Sequence, residues 1–164
     1  MVGRPAKAPV EGHARGGARR PRRGPRRARR RAPVNPPREV ILDASVLVDI
    51  LVGSDLAETA RTRLRGTTLH VPAHFDTEVL AALGRLHRAG ALTVTQVTAA
   101  LKHLAQLPLT RHLLNGLVNG AWERRADLRL VDALYVELAE SLDLPLLTTD
   151  LRLARACPRA KAID

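Results

Sequence analysis

From Glu39 onward, short apolar runs alternate with segments of helical periodicity, and that alternation admits few architectures. The run 39–44 (EVILDA) suits a strand buried on both faces. Further strands are expected at 68–71 (TLHV), 145–149 (PLLTT) and 160–163 (AKAI), with 109–113 ambiguous. Helices are expected at 45–52, 54–65, 73–89, 93–107, 132–142 and 151–156. A weaker helix at 114–125 is interrupted by Gly116 and Gly120. Ser54 and Thr93 stand where caps belong, Pro108 stops one helix, and glycines at 53, 66 and 90 punctuate the others. Strand–helix alternation of this kind predicts an α/β fold: a three-layer α-β-α sandwich on a mostly parallel central sheet.

Charge divides the chain at the point where the alternation begins. Residues 1–38 hold 13 Lys and Arg against the single acid Glu11, whereas residues 39–164 hold 14 against 15 acids. The near-neutral body therefore excludes a uniformly basic nucleic-acid-binding fold. The leading segment 1–38, rich in Arg, Pro and Gly, lacks the apolar content to offset the entropy of ordering, and is expected to be disordered. Two readings of it stand: an arm that binds phosphates without sequence preference, or residues outside the working protein, with translation starting at a valine such as Val34 or Val40. One cysteine, Cys157, excludes an intrachain disulfide and any multi-cysteine zinc site, and suits the reducing cytoplasm. No apolar run reaches the ~20 residues of a membrane span. With only Phe75, Trp122 and Tyr135 as aromatics, base-stacking platforms are not expected.

The acids mark the chemistry. Asp43 closes the first strand (VILDASVLV), Asp150 closes the late one (LLTTDLRLA), and Asp132 opens a helix (RLVDALYVELAE). In parallel α/β sheets, ligands sit outside the carboxyl ends of the strands, where these aspartates would converge. Helix capping explains any one of them alone; three in apolar frames point to a shared pocket. Glu78 adds a fourth, three residues after Phe75 and beside the apolar stripe of its helix. Four carboxylates in one pocket repel, and a hard divalent cation with oxygen preference, Mg²⁺ or Mn²⁺, resolves the repulsion and can polarise a phosphate.

These pieces resemble the PIN domain, and within it the VapC-type toxin ribonucleases of prokaryotic toxin–antitoxin pairs. The resemblance runs over about 39–164, through VILDASVLV, VPAHFDTEVLAAL and LVDALYVELAESLDLPLLTTDLRLARA. It implies a metal-dependent endoribonuclease acting on RNA such as tRNA or ribosomal RNA, silenced by a cognate antitoxin and commonly a homodimer. It assigns metal binding to Asp43, Asp132 and Asp150, completion of the acidic pocket to Glu78, and supporting hydroxyls to Ser45 and Thr148. Two features depart from the family pattern: Val131 where relatives often carry an aromatic residue, and the basic leading segment.

Other readings fit less well. A haloacid-dehalogenase-type phosphatase wants an Asp where Ser45 stands, and a receiver domain wants an acid beside Asp43. Neither a dinucleotide-binding turn nor a P-loop is present, since Ala44 and Ser45 follow the first strand. A non-catalytic alternative remains: a PIN-like module that only binds an antitoxin-like protein or RNA. His70 and His74 have zinc-like spacing, but Pro72 between them breaks a helix, so both are expected to be structural or surface residues. Arg85, Glu137 and Glu140 read as solvated helix faces, and Asp49 as a rim residue. Arg61, Arg63, Arg65 and Arg152 are candidates for RNA phosphates, and Leu47, Leu51 and Leu56 for an antitoxin helix.

Overall fold

The computed structural model describes residues 38–164. The expectations for 1–38 lie outside the described residues, apart from Arg38. In chain order the elements are β1 (Arg38–Leu42), α1 (Ala44–Val52), α2 (Ala57–Leu64), β2 (Thr67–Pro72), α3 (Phe75–Arg88) and α4 (Val94–Gln106). There follow β3 (Leu109–His112), α5 (Val118–Glu123), α6 (Leu130–Ser141), β4 (Leu146–Thr148), α7 (Leu151–Ala156) and β5 (Ala160–Ala162). The ambiguous segment at 109–113 is a strand, paired with β2 at one edge of the sheet.

All strand pairs are parallel, in the order β3-β2-β1-β4-β5. The chain leaves β1, builds β2 and β3 on one side, and returns to lay β4 on the other. The order therefore reverses between β1 and β4, the switch point at which open α/β sheets form a crevice. Ile41 pairs with Leu146 and Leu42 with Leu147, and the Asp43 N–H donates to Leu147 O at 3.0 Å. Asp43 and Thr148 thus emerge side by side.

Val40, Ile41 and Leu42 are all buried, as a strand covered by helices on both faces requires. Phe75, Val79 and Leu83 recur every four residues on α3 and are fully buried. Removing a side chain of this kind from water contributes about 2–3 kcal/mol. The same stripe fixes Glu78 one position before Val79, at the margin of the core. Helix α6 buries Ala133, Tyr135, Val136, Leu138 and Ala139, and so anchors the DALYVELAE motif firmly.

Helix termini follow the sequence in part. Thr93 caps α4 through a full capping box with Gln96. Gly53 takes the left-handed conformation that ends α1. Ser54 does not cap α2; Leu56 takes that position, and the Ser54 hydroxyl instead accepts the Leu56 N–H at 3.3 Å. Gly120 serves packing: an added Cβ would collide with the Glu137 carboxylate that Arg124 holds against α5. Glu137 is therefore part of an α5–α6 contact and not a free solvated face.

Candidate active site

Asp43 follows β1 and is almost completely buried. It occupies the N-cap position of α1, yet its side chain caps nothing. Two hydroxyls claim it instead, Ser45 Oγ at 2.6 Å and Thr148 Oγ1 at 2.5 Å, and both donate to Oδ2. Each hydroxyl also accepts a backbone N–H: Thr148 from Asp150 at 2.9 Å, Ser45 from Thr149 at 3.2 Å. Donor and acceptor roles are consistent throughout, which locks the β4–α7 turn onto the end of β1. Burial pushes the Asp43 carboxyl above the usual aspartate range; the two hydroxyls pull against this and nearby Glu78 adds to it.

Asp150 does act as a helix cap. Its Oδ1 accepts the N–H groups of Arg152 and Leu153 at 2.7 and 3.4 Å. Burial pushes its carboxyl up, but those N–H groups, with Arg152 and Arg129, hold it lower than usual. Asp132 does not open its helix as expected. It is the third residue of α6, and Arg129 precedes the helix. Arg129 grips both oxygens of Asp132, Nε to Oδ2 at 2.7 Å and Nη2 to Oδ1 at 2.9 Å, while Nη2 stands 3.8 Å from Asp150 Oδ2.

Glu78 has partners that sequence reasoning missed. Tyr135, on the buried face of α6, donates its phenol to Glu78 Oε2 at 2.6 Å. His74 Nε2 approaches the same oxygen to 3.2 Å, and its ring packs edge-on against Tyr135. Burial raises the Glu78 carboxyl, but His74 and Tyr135, helped by Arg129, outweigh it and keep the group below the ordinary glutamate range. Phenol burial and the adjacent carboxylate push Tyr135 far up, so it remains a donor.

The four acids open into one cleft of about 310 Å³, with Asp49 at its rim and Arg85 and Arg129 among its walls. Capping therefore accounts for Asp150 alone, and the shared-pocket expectation holds. Five carboxylates face two guanidiniums, and every donor is a hard oxygen. Such a set fits Mg²⁺ or Mn²⁺ better than a soft-ligand metal. Among the described residues no three His, Cys, Asp or Glu side chains are already gathered at ligand distance. Arg129 stands between Asp132 and Asp150 in the position of a counter-ion.

Several expectations are corrected here. Arg61 bonds Ile50 O and pairs with Glu58, and Arg63 bonds Ala162 O. Arg65 lines a separate apolar hollow with Arg61 and Leu47, so these three do not face the acids. Of the four arginines expected to meet RNA, Arg152 alone approaches the acids, 3.7 Å from Asp150. Arg85, read as a solvated face, lines the cleft instead. Leu47 belongs to the core and Leu51 and Leu56 are half-buried; of the exposed apolar side chains, Val118, Trp122, Leu130 and Val131 group along α5 and α6. His70 pairs with His112 at 3.0 Å, as a structural histidine would, whereas His74 meets the Glu78 carboxylate of the cleft.

The family model of the PIN domain matches residues 40–157. The chain is 61% identical over 132 residues to Ribonuclease VapC3 of Mycobacterium tuberculosis, across 80% of this chain and 96% of that protein. It is 33% identical over 117 residues to Ribonuclease VapC12 of the same organism, across 71% and 91%. Among solved structures, PAE2754 from Pyrobaculum aerophilum superposes with a TM-score of 0.59 at 26% identity, covering 77% of this chain and 84% of that one. The buried aspartate at the β1/β4 switch, the acidic cleft around it and these matches agree: the chain belongs to the PIN-domain family and, within it, to the VapC-type toxin ribonucleases.

Proposed function

We propose that the cleft hydrolyses RNA phosphodiester bonds with the help of Mg²⁺ or Mn²⁺. The observation that carries this reading is a buried carboxylate, Asp43, sharing one oxygen-lined cleft with Glu78, Asp132 and Asp150. Its relatives' name, ribonuclease, supports RNA as the substrate class.

Asp43, Asp132 and Asp150 are the residues to hold the cation, which would supply Lewis-acid charge to a phosphate ester. Ser45 and Thr148 orient Asp43. Glu78, kept ionised by His74 and Tyr135, is suited to accept a proton from an attacking water. Arg85 and Arg129 present guanidiniums at the walls, a geometry suited to RNA phosphates.

The same reading makes the protein a toxin of the cytoplasm, a homodimer silenced by a cognate antitoxin, with tRNA or ribosomal RNA as target. The exposed Val118, Trp122, Leu130 and Val131 form an apolar patch of the kind protein partners cover. Among the described residues no helix is long and apolar enough to cross a membrane. The test is cleavage of RNA by the purified full chain with sequencing of the new ends: discrete sites in Mn²⁺ and none in EDTA support the reading. Equal cutting in EDTA overturns it.

A further inference from the structure

We infer that Arg129 is an exchangeable counter-ion, which neutralises Asp132 and Asp150 while the cleft is empty and transfers to an RNA phosphate when a divalent cation takes those carboxylates. The inference rests on the cation reading above and adds a residue with two alternating partners.

The geometry is specific. Arg129 has extended backbone just before α6, so its side chain turns back over the start of the helix. It occupies both oxygens of Asp132 and leans towards Asp150 Oδ2. A cation bound by those oxygens and the guanidinium cannot hold them together. The arginine side chain is 64% exposed, against 16% and 24% for the two aspartates. It therefore lies on the solvent side and can leave without disturbing the core. An exposed pair of this kind is weak, and a doubly charged ion outcompetes it. Once freed, the guanidinium stays rooted in the cleft wall that also contains Arg85. A bidentate donor at that place is positioned for a phosphate group.

The experiment compares wild type, Arg129→Gln and Arg129→Lys as full chains without RNA. Calorimetry gives the Mn²⁺ Kd, and thermal melts are run in EDTA and in saturating Mn²⁺. The Gln variant is expected to bind Mn²⁺ about fivefold more tightly, to melt lower than wild type in EDTA and to melt with it in Mn²⁺. The Lys variant, which keeps charge but loses the two-pronged grip, is expected between them. In saturating Mn²⁺, RNA cleavage by the Gln variant is expected to show a raised KM. Equal Kd values for wild type and Gln overturn the counter-ion role while leaving the cation reading intact. Unchanged melting in EDTA with raised melting in Mn²⁺ points to simple charge repulsion and also overturns it. An unchanged KM overturns the transfer to phosphate. Absence of Mn²⁺ binding by wild type overturns the cation reading, and the inference with it.

Discussion

Thr148 donates its hydroxyl to Asp43 across 105 positions of sequence, at 2.5 Å, and in return accepts the N–H that begins the turn into Asp150. One fully buried hydroxyl thus couples two of the carboxylates. Thr148→Val keeps the shape, strips Asp43 of a donor and leaves the Asp150 N–H unpaired. The expected cost is about 1.5–3 kcal/mol of stability and roughly 10- to 100-fold in Mn²⁺ affinity. Thermal melts and calorimetry on the purified variant measure both; an unchanged Mn²⁺ Kd contradicts the coupling.

Asp43 is held above its usual proton affinity by burial. A carboxyl whose folded pKa is raised contributes stability below the unfolded pKa, and that contribution is lost as pH rises through the folded pKa. Once ionised, the buried group therefore weighs against the fold. Asp43→Asn keeps an acceptor for Ser45 and Thr148 and removes the charge. It is expected to raise the melting temperature in EDTA by about 3–5 °C, the equivalent of ~1 kcal/mol, while abolishing cleavage. Melting curves at pH 7 with and without EDTA provide the check.

Glu78 behaves in the opposite sense. Its carboxyl is lowered by His74 and Tyr135 against the effect of burial. That stability is present above the unfolded glutamate pKa, ~4.3, and is lost as pH falls through the folded value. Tyr135→Phe removes one donor. It is expected to cost about 1–2 kcal/mol near neutrality, to flatten the loss of stability on acidification, and to move the acid limb of the cleavage rate to higher pH. Denaturant titrations between pH 3 and pH 7, with rates over the same range, test all three.

A cation bound as proposed has its own signature on removal. At a free Mn²⁺ concentration of 100 times Kd, linkage predicts about 2.7 kcal/mol of added stability over the EDTA-treated protein. The melting temperature should rise by roughly 8–13 °C. Asp132→Ala should remove most of that increment. A rise that survives in Asp132→Ala places the ion elsewhere.

Sheet and site were legible to different depths. The runs 39–44 and 145–149 stand out because a strand covered on both faces needs unbroken apolar sequence, and both end in polar residues that the crevice uses. Edge strand β3 is ambiguous because its two central residues are exposed and carry no burial pattern. Asp43 and Asp150 were readable as acids at strand ends. The partners of Glu78 were not: a tyrosine on an apolar stripe reads as core, and its hydrogen bond exists only once α3 and α6 pack. Arg129 three residues before Asp132 resembles an ordinary pair at a helix start. Only the approach of α7 brings Asp150 to the same guanidinium.

One divalent cation held jointly by Asp43, Asp132 and Asp150 would tie the end of β1, the start of α6 and the β4–α7 turn together. Anomalous diffraction at the manganese edge, from crystals of the full chain grown with Mn²⁺, locates the ion directly. The expected result is a peak within the cleft in contact with Asp43, Asp132 and Asp150, and Arg129 turned away from Asp132. A cleft without a peak at saturating Mn²⁺, with Arg129 still bound to both oxygens of Asp132, would contradict it.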